Sequence, residues 1–171
     1  YMVGAFIGYY VARSMGLTEN PGVLSLLITL TAAMLGTGLL GYFIERFAYR
    51  PLRKAPRINV LITAIGVSLF LQYGGQVVFG SEPKLFPEVI NTGLPFVFLG
   101  LHPNKLQILV FFVAAILLGC LHFVINHTKA GLAMRAVSFN HDVASLMGIP
   151  VNRIISLTFV LGSALAGAAG I

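Results

Sequence analysis

The chain has 171 residues, of which 57% are apolar and 9% charged, with a formal net charge of +6. Soluble domains carry about 25% charged residues, so the composition excludes an ordinary soluble globular domain, and a mean hydropathy of +0.91 excludes disorder. The class left is a polytopic membrane protein, all-α, built as a bundle of transmembrane helices.

A spanning helix needs about 20 apolar residues. Five apolar runs are expected to be helical, at 1–12, 22–44, 59–79, 107–125 and 154–171, with every charged residue outside them; an end at Leu17, past Arg13, is the alternative bound of the first. The first run is short, and the chain starts at Tyr1 and ends at Ile171 inside apolar sequence. It is therefore expected to be a single transmembrane domain cut at both ends. The one cysteine, Cys120, sits in an apolar run and reads as a small buried hydrophobe.

The first run carries a Gly4/Gly8 pair, the second carries Ala33, Thr37 and Gly41, and the last carries Gly162, Ala166 and Gly170. Small residues at this spacing let helices approach closely in lipid, either inside one bundle or at a dimer or sliding seam. Asn20-Pro21-Gly22 reads as a turn before the second run. Segment 45–58 holds five basic residues against Glu45, and Pro51 and Pro56 are expected to keep it from continuing as helix.

In the third run Ser68, Gln72 and Gln76 recur every four residues on one helical face. Amides in hydrocarbon are costly unless paired or wet. This stripe is either hydrogen-bonded packing or the polar lining of a translocation route. Gly74-Gly75 beside it would admit a bend or a close neighbour. Segment 80–106 is net neutral and holds Pro83, Pro87, Pro95 and Pro103. It is expected to be an outer loop whose apolar stretch 94–101 is re-entrant, interfacial or simply covered.

His122 near the end of the fourth run reads as a buried or snorkelling ring, and Cys120 would point elsewhere, so no metal site is expected. Segment 126–153 is net +2, with Lys129, Arg135 and Arg153 against Asp142. The basic excess thus falls on alternate loops, and the positive-inside rule puts 45–58 and 126–153 in the cytoplasm. The pI of 9.8 reflects this topology and anionic lipid, not nucleic-acid binding.

Within 126–153 a helix is expected from Gly131 to Phe139. Asn140 then caps a short helix from His141 to Met147, with Asp142 in its first turn and Gly148 and Pro150 ending it. Val143, Leu146 and Met147 form its exposed apolar face. Such a face either lies on the membrane or docks into a partner's groove. No catalytic constellation stands out, since there is no GxxxxGK[ST] phosphate loop and no Ser–His dyad near Ser68. No cofactor is implied.

Several motifs resemble the permeases of bacterial branched-chain amino-acid ABC importers, most of all the H-type subunit. They are Tyr49-Arg50-Pro51-Leu52-Arg53, Leu61 to Ser68, Thr128 to Val137, Met147-Gly148-Ile149 and Leu161 to Gly167. Asp142-Val143-Ala144 followed by Gly148 is similar to that family's EAA-xxx-G loop, with Asp for Glu and Val for the first Ala, and without the Ile-x-Leu-Pro that follows. The resemblance implies an ATPase-coupling role for Asp142, Ala144, Leu146 and Gly148. It also implies a second permease subunit, two ATP-binding ABC subunits, an extracytoplasmic solute-binding protein and a place in the bacterial inner membrane. A urea or short-chain amide permease of the same family is the nearest alternative, and a self-energised transporter or channel is a more distant one.

Overall fold

A computed structural model of the chain describes residues 1–16, 22–54, 56–80 and 105–171. Those residues form helices α1 (Met2–Ser14), α2 (Val23–Ile44), α3 (Arg57–Phe79), α4 (Lys105–His127), α5 (Lys129–Phe139), α6 (His141–Leu146) and α7 (Val151–Ala168), and no strand occurs among them. Among the described residues, four helical stretches are long and apolar enough to cross a membrane: Val23–Leu52, Ile58–Phe79, Gln107–His127 and Val151–Ala168. Of the five expected runs, only the first falls short on its own, because α1 has 13 residues. The expected turn at Asn20-Pro21 and nearly all of the expected outer loop, including 94–101, lie outside the described residues.

The chain divides into two compact units, Tyr1–Val89 with Ser156–Ile171, and Ile90–Ile155. In the first, Ser25, Thr29, Ala33, Thr37, Gly41 and Glu45 recur every four residues along α2 and its continuation, and all are buried. Thr29 donates to the Ser25 carbonyl at 2.8 Å and Thr37 to that of Ala33 at 2.7 Å. Their hydroxyls are thus satisfied within the helix, and the buried face stays narrow. The small-residue stripes meet each other inside this unit. A Cβ on Gly4 would lie 2.7 Å from the Gly167 Cα, one on Gly8 would press Thr29 and Ile171, and one on Gly41 would overlap Ser163. Close backbone approach within the bundle is what these glycines provide. At the far end of α3, Phe79 stacks on Phe6 of α1, with ring centroids 4.6 Å apart.

The second run does not stop at residue 44. Its α-helical backbone widens into a π turn over Glu45–Tyr49, where the Arg50 N–H donates to the Glu45 carbonyl, and then tightens into a 3-10 turn over Arg50–Lys54. Pro51 has no N–H and cannot continue an α-helix, but the change of winding lets the helical rod carry on past it. The expectation that Pro51 would end the helix is corrected accordingly. So is the placement of Glu45 in a loop: its side chain is fully buried in the helical unit.

In the second unit, α4 is almost wholly exposed in the isolated chain. Cys120 is exposed rather than buried. His122 is also exposed and shares a hydrogen bond with the Asn126 amide. A single residue, Thr128, turns α4 into α5: its hydroxyl donates to the Val124 carbonyl at 2.5 Å and accepts from the Gly131 N–H at 3.1 Å. A Cβ at Gly131 would strike the carbonyls of Val124 and Ile125, so this turn requires glycine there.

Candidate functional site

Two features stand apart from packing, a cavity in the first unit and the short helix α6 in the second. The cavity, of about 510 Å3, lies between α2, α3 and α7. From α3 it takes Ala64, Val67, Ser68 and Leu71, spaced as one helical face. Ile44 and Phe159 complete an apolar wall, and the hydroxyl groups of Tyr49, Ser68, Thr158 and Ser163 interrupt it. The Tyr49 and Phe159 rings meet with centroids 5.0 Å apart, which braces the π turn against α7. Such a wall suits a small aliphatic group and offers it a few hydrogen bonds.

Of the three residues singled out on α3, Ser68 lines this cavity, whereas Gln72 and Gln76 are exposed and do not. Four-residue spacing advances by about 40° per step around an α-helix. By Gln76 the stripe has therefore turned well away from the Ser68 direction.

Asn140 ends α5 and caps α6 at once, in extended backbone with φ −156°. Its Oδ1 accepts from the Asp142 N–H at 2.9 Å and from the Val143 N–H at 3.2 Å. At the other end Gly148 takes φ +80°, its N–H donates to the Ser145 carbonyl, and the Ile149 N–H donates to that of Ala144. This closes a Schellman cap that favours glycine at that position. Ala144 is the buried residue of α6, and Asp142 lies exposed in its first turn. Val143, Leu146 and Met147 are exposed, Leu146 by 86%, and Phe139 at the end of α5 is 96% exposed. Asp142, Ala144, Leu146 and Gly148 thus share one capped turn. Phe139 enlarges its apolar surface, and the periodicity of α6 alone did not reveal that residue.

Glu45 was also missed as an interior residue. It is fully buried, and its Oε2 accepts from the Ser156 hydroxyl at 2.5 Å. The signal available was the four-residue spacing that runs from Ser25 to Glu45 without a break.

Long apolar helices, joined through glycine and hydroxyl contacts, make this a polytopic helical membrane protein. The chain belongs to the family described as branched-chain amino acid transport system / permease component, whose model matches residues 1–171. It is 37% identical over 177 residues to the high-affinity branched-chain amino acid transport system permease protein BraD of Pseudomonas aeruginosa, covering 100% of this chain and 57% of that protein. The permease protein LivH of Escherichia coli K12 is 32% identical over 178 residues, and LivH of Salmonella typhimurium 30% over 181, each with the same coverage. The chain thus spans little more than half the length of these relatives. No solved structure matches it.

Proposed function

We propose that this chain is part of the transmembrane permease subunit of an ATP-driven importer of branched-chain amino acids in a bacterial inner membrane. In this reading a solute-binding protein delivers substrate from outside, and the subunit pairs with a second permease to form the pathway. Two cytoplasmic ATPase subunits close on ATP and drive it between outward and inward openings. The chain itself performs no covalent chemistry. The cavity beside Ser68 supports the pathway role, since its aliphatic and aromatic wall suits a branched side chain.

The observation that carries the reading is α6: a turn capped at Asn140, stopped at Gly148, and presenting Val143, Leu146 and Met147 outward. A docked apolar side chain contributes about 1.5–3 kcal/mol when fully buried, so α6 is well built to seat in a groove of an ATPase. Uptake of labelled leucine by cells lacking their own branched-chain importers, with the full-length subunit and its partner genes supplied, tests the function. Leucine uptake that depends on the ATPases supports it. Uptake of urea or acetamide without leucine would replace it with the amide-permease alternative.

A further inference from the structure

Glu45 is the only buried charged residue among those described. A carboxylate is strongly unfavourable in such a place unless hydrogen bonds compensate it. The Ser156 hydroxyl supplies a short one at 2.5 Å, the kind strengthened by charge. Three further facts surround this bond. Glu45 is where α2 changes from α to π winding. Above it, α2 and α7 meet through small groups: Gly41 on Ser163, Gly38 near Ala164, and Thr37 on Gly167. Smooth contacts of that kind resist sliding weakly, whereas a directional bond fixes register. Finally, α7 starts at Val151, three residues beyond Gly148, and runs unbroken through Ser156. Ser156 is only about 7.5 Å along the helix from its first residue.

We propose that Glu45 is a positioning residue which, through Ser156, ties α2 to α7, so that movement entering at the start of α7 carries α2 and the cavity wall with it. This rests on the importer reading, which makes α6 the point where movement enters. The tie has two consequences. Helices α2 and α7 keep their register as the permease changes state, and loss of the carboxylate separates ATP hydrolysis from transport without dismantling the complex.

The test uses the full-length permease with its partner subunits in liposomes, with Cys120 replaced by Ser. A Cβ at residue 38 would lie 3.7 Å from the Ala164 Cβ, within the range of about 3.5–4.5 Å that a disulfide needs. The pair Gly38→Cys and Ala164→Cys therefore reports register under mild oxidation. Glu45→Ala and Ser156→Ala are each expected to slow that cross-link about tenfold, the loss of one charge-assisted bond. Glu45→Gln, whose amide oxygen still accepts but carries no charge, is expected to slow it by less than either alanine variant. Leucine moved per ATP hydrolysed should fall about tenfold in Glu45→Ala, return when the disulfide is formed, and fall again on reduction. Should Glu45→Ala yield no complex, Ser156→Ala carries the same measurements. Transport per ATP at the parent level in both alanine variants overturns the tie, as does a formed disulfide that restores nothing. If the parent complex moves no leucine, the importer reading fails separately, and an unchanged cross-linking rate in the variants then overturns the tie.

Discussion

At Gly41 a single added carbon would occupy the place of the Ser163 side chain, whereas at Gly119 it would meet nothing within 4 Å. These two glycines should respond oppositely to substitution. Gly41→Val forces α2 and α7 apart and is expected to destabilise the extracted protein by about 1–3 kcal/mol. Gly119→Ala gains helix propensity of about 0.5–1 kcal/mol and should be neutral or mildly stabilising. Thermal unfolding in detergent, followed by size-exclusion chromatography, compares them, and equal melting temperatures would contradict the packing described here. Asn140 and Gly148 were legible in the sequence because caps are local. One side-chain oxygen facing two free N–H groups, and one position requiring φ > 0, need no knowledge of the rest of the fold. Glu45 was not legible for a related reason. Spans were bounded by charge, and a charge that finds its partner 111 residues away looks like a boundary until the two helices are brought together.

Among the helices, α6 and α2 show how far an element departs from its sequence pattern. The short helix appears where its caps predict it, ending at Leu146 with Met147 as its cap residue. The α2 rod instead outruns its apolar stretch, because Pro51 is accommodated by altered winding. If α6 seats on an ATPase as proposed, substitutions in it should affect coupling and leave insertion intact. Leu146→Glu is expected to release the ATPase from the detergent-purified complex or abolish substrate-stimulated ATP hydrolysis, with the permease still in the membrane. Asn140→Ala removes a cap worth about 1 kcal/mol and should weaken the same coupling partially. A complex that keeps both the ATPase and its stimulation in Leu146→Glu would show that α6 acts elsewhere, for example at the lipid surface.

On the scale of the whole molecule, basic residues concentrate in 45–58 and 126–153, and the positive-inside rule predicts that these two segments face the cytoplasm. Cysteines introduced at positions 53 and 135 are expected to resist an impermeant reagent added to intact cells, while one at position 84 reacts. The reverse pattern would invert the topology. Exposed Gln72 and Gln76 on α3 lead to a second expectation. Unpaired amides facing lipid are unfavourable by about 1–3 kcal/mol each, so these side chains should meet another subunit or water. Replacing both with Leu should reduce uptake or complex yield, and normal values of both would place them against lipid after all. Composition was enough to read the all-α class and the spanning helices, because lipid leaves the backbone few alternatives. How the helices pair depended on contacts that no single stretch encodes.

The seam joining α1, α2 and α7, in which glycines face small or short side chains, also has a thermodynamic signature. Side chains without rotamers lose no rotamer entropy on packing, and in lipid no water is released when helices meet. Association of these helices should therefore be driven by enthalpy, through dispersion and backbone proximity. Hydrophobic burial in water weakens on cooling; this seam should instead tighten as the membrane is cooled and loosen as it is warmed.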